Sequence, residues 1–124
     1  MNQNKEFSGQ EIIDLPSVLE RIGGDENFLQ ELIKIFLSEF DLKLSQLEKA
    51  AAEADFRSIQ EIGHNIKGSA ANLSLLELQK IAYTLETCGR QSDIFGCLEN
   101  INKLKTARQK LLEQLKHFSW WKDE

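Results

Sequence analysis

The sequence predicts an all-α protein: an antiparallel up-down four-helix bundle with a short extra helix at its N-terminal end. Three observations lead there. The chain has one proline, Pro16, in 124 residues and almost no β-branched alternation. Four long segments repeat their apolar residues at three- and four-residue steps, the spacing of one buried helix face. The breaks between those segments are short, which favours antiparallel neighbours.

Residues 1–11, MNQNKEFSGQE, read as a flexible N-terminal tail, followed by a single domain over 12–120. In DLPSVLERIGG, Pro16 suits the first helical position and Gly23 and Gly24 suit the stop, so a short first helix is expected that caps one end of the bundle. Asp25 can cap a second helix running to about Ala54, with Leu29, Leu32, Phe36, Phe40, Leu47, Ala51 and Ala54 inward. Asp55 can cap a third, whose stripe is Phe56, Ile59, Gly63, Ile66, Ala70 and Leu73. SLLE, residues 74–77, has the form of a capping box, Ser74 at N-cap and Glu77 at N3, opening a fourth helix that buries Leu78, Ile81, Leu85 and Cys88. Ser92 or Asp93 caps a fifth, with Leu98, Ile101, Leu104, Leu111, Leu115 and Phe118 facing the core.

Composition removes several function classes. A hydrophobic content of 41% is enough for one core, and a net charge of −5 argues against a nucleic-acid binder. Cys88 and Cys97 lack metal-ligand spacing and have only two histidines to join them, so they read as reduced thiols and no metal site is expected. The N-terminus has no signal-peptide h-region, and LIKIFL, the longest apolar cluster, is far too short for a bilayer span. A cytoplasmic, monomeric protein is the expectation. KLKTARQK and EKAAAEADFR read as solvated helix faces. His117 suits the end of the last helix, where a cation favours the dipole. Trp120 and Trp121 either fold back on the bundle end or contact a partner.

The stretch EIGHNIKGSAANLS, residues 61–74, needs more explanation, because each mid-helix glycine costs about 1 kcal/mol relative to alanine. At about 100° per residue, His64 lies about 130° from the centre of the third helix's apolar stripe, facing solvent. Lys67 and Gly68 are its neighbours one turn on. Gly63 lies inside the stripe, where a small residue lets a neighbouring helix approach. Gly68 faces outward, and two readings stand: neutral drift, or clearance for something that must reach the imidazole.

Neutral imidazole is a good nucleophile near pH 7 and can take a phosphoryl group, whose oxygens Lys67 could then neutralise. A carboxylate on the other ring nitrogen would fix the tautomer. Antiparallel packing puts His64 level with residue 83 or 84, and Glu86 roughly 3–5 Å further along the axis. Glu86 is therefore either that orienting group or an ordinary solvated charge.

HNIKGSAANL followed by LLELQKIAYTLE resembles the signature of histidine-containing phosphotransfer (HPt) domains, the pattern His-x-x-Lys-Gly-Ser falling at His64, Lys67, Gly68 and Ser69. The match covers residues 60–86, and VLERIGGDENFLQELIKIFLSEF is similar to the family's first two helices. One departure is Ser74, where many members have glycine. The resemblance implies a phosphorelay intermediate that accepts a phosphoryl group on His64 from a receiver-domain aspartate, or from a kinase, and passes it to a response-regulator aspartate. It implies phosphate-side charge at Lys67, receiver clearance at Gly68, and a histidine contact at Glu86 as in the chemotaxis-kinase branch. Ser69 points to a flank, which suits packing. The partners would be response-regulator receivers or a hybrid sensor histidine kinase, docking around Arg57, Gln60, Gly68 and Ala71. No cofactor of its own is expected; Mg²⁺ would sit on the partner receiver, and no autonomous kinase activity is expected. An ATP-dependent histidine kinase core would carry His-Glu-x-x-x-Pro and a Gly-rich segment, whereas Asn65 follows His64 and no proline does. The remaining alternative is a non-catalytic helical adaptor with His64 incidental.

Overall fold

The structure, a computed structural model, describes residues 12–123. The tail assigned to residues 1–11 lies outside the described residues. Five helices follow in order: α1 (Leu15–Arg21), α2 (Glu26–Ala52), α3 (Phe56–Asn72), α4 (Leu76–Arg90) and α5 (Ile94–Leu115). Among the described residues there is no strand, only an isolated β-bridge between Ile13 and Leu75. No helix among them is long and apolar enough to cross a membrane.

Four of the five helices start at an aspartate whose carboxylate accepts from a backbone N–H three residues on: Asp14 from Ser17, Asp25 from Phe28, Asp55 from Ser58 and Asp93 from Gly96. α1 to α4 all end in one kind of turn. A residue in the left-handed region follows the helix, Gly23 (φ 83°), Ala54 (φ 53°), Ser74 (φ 54°) or Ser92 (φ 56°). The next N–H then bonds back to the last turn: Gly24 to the Leu19 carbonyl, Asp55 to Ala50, Leu75 to Ala70 and Asp93 to Cys88, at 2.7–2.9 Å. Sharp turns of this kind reverse the chain within about three residues.

The reversal shows in the cross-helix register. On α2 and α5, Asp41 meets Arg108 and Glu48 meets Lys105; on α4 and α5, Glu77 meets Lys110 and Cys88 meets Asn100. In each pair of helices one number rises as the other falls, which is antiparallel packing. Leu29, Ile33, Phe40, Leu47, Ile59, Ile66, Leu78, Leu85, Leu104 and Leu111 fill the space between the four long helices. The segment from Ile12 to α1 closes one end. The Ile12 N–H donates to buried Gln114, and the Arg21 guanidinium sits on the carbonyls of Ala71 and Asn72 at the C-terminus of α3. After α5 the chain folds back: Trp120 stacks on Phe118, Lys34 lies over Trp121, and the Lys122 N–H donates to Gln30 of α2.

Several expectations need correction. Ser74 is not an N-cap and no capping box forms. Its backbone closes α3, its left-handed φ excludes it from the α4 start, and its buried hydroxyl accepts from Arg21 at 2.7 Å. Leu75 takes the N-cap position with no side-chain hydrogen bond, held instead by burial and the bridge to Ile13. Glu77 consequently pairs with Lys110 at 3.8 Å. Ala54 lies beyond α2 and is exposed, because it is the turn residue. On α5 the inward position is Cys97, leaving Leu98 47% exposed. Phe118 lies past the end of α5 and is half-buried, as are Leu32, Phe56 and Cys88. All four still pack against the core, which Ile33 and Leu37 of α2 also join.

Candidate functional site

The close approach of α3 and α4 begins with two glycines. A Cβ on Gly63 would meet the Glu86 N at 3.1 Å and the Ala82 O at 3.3 Å; one on Gly89 would meet the Gln60 N at 2.9 Å and the Phe56 O at 3.2 Å. Each glycine therefore faces the backbone of the opposite helix. This reciprocal pair draws α4 against α3 beside His64, and Glu86 lands within one side chain's reach of the imidazole. Gly68 is different: nothing lies within 4 Å of a Cβ built there, and it faces outward.

His64 stands on the outer face of α3 with its side chain 64% exposed. Its Nδ1 is 3.1 Å from Glu86 Oε2. Glu86 is only 7% exposed, so it is a buried carboxylate and not a solvated charge. Lys67 Nζ lies 2.8 Å from the other oxygen, Oε1, as an ion pair. Arg90, one turn along α4, brings Nη2 to 3.7 Å from Oε2. One carboxylate thus gathers an imidazole, an ammonium and a guanidinium.

Lys67 holds the Glu86 carboxyl below its ordinary range; burial opposes this, and His64 adds to the lowering. An ionised carboxylate only accepts, so the proton between it and His64 belongs on Nδ1. In the neutral ring that leaves the lone pair on Nε2, in a side chain that is largely exposed. Arg57, Gln60, Glu61, His64, Asn65 and Glu86 line one open cleft of about 580 Å³. At its rim Arg57 pairs with Glu61 at 3.3 Å.

Arg57 and Gln60 therefore share the cleft with His64. Gly68 and Ala71 lie one and two turns further along α3, outside its lining, with the Ala71 carbonyl under Arg21. Ser69 is turned toward α2, lining a crevice with Phe36, Phe40, Lys43 and Ile66. Three neighbours were not singled out from the sequence: Arg90, Tyr83 and Gly89. Helical spacing holds the signal for the first two, since Arg90 is i+4 and Tyr83 i−3 from Glu86. Lys67 Nζ sits 5.4 Å from the centre of the Tyr83 ring. Elsewhere, both thiols are free, and burial pushes the Cys97 thiol up to about 11. No group of three or more histidine, cysteine or carboxylate side chains is placed to hold a metal ion among the described residues.

The comparisons with known proteins bear on the same helices. The chain is 25% identical over 88 residues to Multistep phosphorelay regulator 1 of Schizosaccharomyces pombe (strain 972 / ATCC 24843), a stretch that is 70% of this chain and 29% of that protein. The chain therefore corresponds to under a third of its relative's length. No solved structure matches. A family model described as the Hpt domain matches residues 31–118, which takes in α3, α4, His64, Lys67, Gly68 and Glu86. With that match over most of its length, the chain belongs to the Hpt domain family.

Proposed function

We propose that the protein is a phosphorelay intermediate in which His64 accepts a phosphoryl group from a receiver-domain aspartate and returns it to another receiver. The observation that carries this is the pairing of an exposed imidazole with a buried carboxylate at Nδ1, which leaves the Nε2 lone pair outward. Nε2 attacks phosphorus, the N–P bond forms as the acyl P–O bond breaks, and the electron pair of that bond leaves on the aspartate carboxylate. The imidazole gains positive charge as this happens. Glu86, accepting from Nδ1–H, stabilises that charge and holds the ring in one tautomer. Lys67 and Arg90, both paired with Glu86 beside the imidazole, are the cations assigned here to the phosphoryl oxygens. The reverse step follows the same path.

In this reading Mg²⁺ and the acidic pocket that polarise the acyl phosphate belong to the partner receiver. The partner docks over the open cleft at Arg57, Gln60 and His64 and along α3 past Gly68 to Ala71. A receiver meets the protein as a monomer in the cytoplasm, and the phosphohistidine carries signal between two aspartates. The test is to mix the protein with a phosphorylated receiver and follow the label. Acid-labile, base-stable phosphate on His64, absent in His64→Gln, is the expected result. Undiminished labelling of His64→Gln would remove the proposal.

A further inference from the structure

Lys67 does not stand free beside the nucleophile. Its ammonium lies between two groups of α4 that are one helical turn apart: the Glu86 carboxylate at 2.8 Å and the face of the Tyr83 ring at 5.4 Å. A cation within about 6 Å of a ring centroid is attracted by the ring's quadrupole. Tyr83 and Glu86 are at i and i+3, so both project from one face of α4 toward α3. Together they make a cradle, and the Lys67 side chain in it is 29% exposed while His64 is 64% exposed. Tyr83 is 57% exposed, so the bundle does not need it for its core.

Glu86 serves both sides of the site at once, His64 through Oε2 and Lys67 through Oε1. A phosphoryl group on Nε2 would make a further claim on that ammonium, in competition with Oε1 and the ring. We infer that Tyr83 is a positioning residue that holds Lys67 in a resting cradle over Glu86, so that the strength of the cradle sets how readily Lys67 moves to phosphohistidine. This rests on His64 being the phosphoacceptor. The ring stabilises the resting state and is given up in the phosphorylated one, so it biases the phosphoryl group toward the receiver. A relay intermediate gains from such a bias, because it must release what it accepts.

The consequence is a double-mutant cycle. In Tyr83→Leu the equilibrium between phospho-His64 and a phosphorylated receiver shifts toward phospho-His64 by about two- to fivefold, the worth of one exposed cation–π contact. Tyr83→Phe keeps the ring and stays at the wild-type value. In a Lys67→Met background, Tyr83→Leu changes nothing further. A shift that persists without Lys67, a shift toward the receiver, or no shift in Tyr83→Leu overturns the inference. A second readout needs no receiver: the Lys67 ε-methylene protons in the unphosphorylated protein should carry a ring-current shift by NMR, retained in Tyr83→Phe and lost in Tyr83→Leu. Its absence in the wild-type protein also overturns the inference. Failure of wild-type His64 to label at all would instead overturn the functional proposal, so the two failures are distinct.

Discussion

Gly68→Ala separates the two readings that an outward helical glycine allows. Gly68 lies inside α3, four residues before its last residue Asn72, with no atom within 4 Å of a Cβ built there. An added methyl therefore meets nothing in the free protein, and the backbone is already helical. Replacing a mid-helix glycine by alanine is then worth about 1 kcal/mol of added stability. For a domain of this size that is a rise of roughly 3–5 °C in Tm. The same methyl points to where a receiver would sit beside His64. Forcing one extra methyl into a packed contact costs about 1–3 kcal/mol, or roughly five- to 150-fold in the rate of transfer from a receiver. The assays are urea unfolding, transfer from a phosphorylated receiver, and labelling by phosphoramidate, a small donor that needs no docking surface. The expected pattern is a more stable protein, slower with the receiver and unchanged with phosphoramidate. Loss of stability would refute the open geometry at Gly68. A stabilised protein with unchanged receiver transfer would refute clearance and leave drift.

Gly89→Ala should have the opposite sign. Its Cβ would come within 2.9 Å of the Gln60 N, backbone that can yield only if α3 and α4 part, so urea unfolding should show a net loss of about 1–2 kcal/mol. A gain like that at Gly68 would mean the helices are not so close. Acid stability should register Glu86. Its carboxyl is lowered in the folded protein, chiefly by Lys67, so its contribution is present above the unfolded-state value of about 4.3 and is lost as pH falls through the lower folded one. Glu86→Gln should flatten that acid limb in pH-dependent urea titrations; an unchanged limb would show that the Lys67 pair contributes nothing to folding.

Much of the fold is legible because its signals are local. Four aspartates at N-caps, Pro16 in the first turn of α1 and the three- and four-residue apolar steps each act within a few residues of themselves. The helix ends are harder to read. Ala54, Ser74 and Ser92 take the left-handed position that glycine takes at Gly23, and nothing in an alanine or serine announces it. Ser74 is misleading in a definite way: serine before an acidic residue looks like a cap, yet the tertiary contact with Arg21 and the pairing of Leu75 with Ile13 decide its use. At the start of α5, Cys97 and Leu98 both stand at helical spacing from Ile101, and only the packed structure shows that Cys97 is buried and Leu98 exposed. At the site, the level of Glu86 against His64 follows from a short turn and a rise of about 1.5 Å per residue, both available from the sequence. That Glu86 is buried does not follow, because its depth depends on how closely two helices pack. The role of Gly89 is set by a tertiary contact, its position meeting the Gln60 backbone of α3, which no local pattern announces.

That depth links the packing to the chemistry. Gly63 and Gly89 bring α3 and α4 together on either side of Glu86, and the approach is what removes water from its carboxylate. A carboxylate so placed stays charged only if cations compensate its lost hydration. Lys67 does so at 2.8 Å, with His64 at 3.1 Å and Arg90 at 3.7 Å. Fixing the imidazole therefore needs a buried acceptor, the buried acceptor needs Lys67, and Lys67 is also the cation a phosphoryl group would call on. On the proposed function, a lysine that moved to a phosphoryl group on Nε2 would leave Glu86 with a more positive imidazole ring, whose Nδ1–H would be a stronger donor. The two exchanges would then compensate each other: Glu86 would trade an ammonium for a stronger hydrogen bond to His64, while Lys67 would trade a carboxylate for phosphoryl oxygens. A site arranged this way would gain and lose a phosphoryl group without leaving a buried charge unpaired at either end of the cycle. The helix propensity given up at the two packing glycines, about 1 kcal/mol each at most, is the local cost of that arrangement, and the core packing of the bundle offsets it.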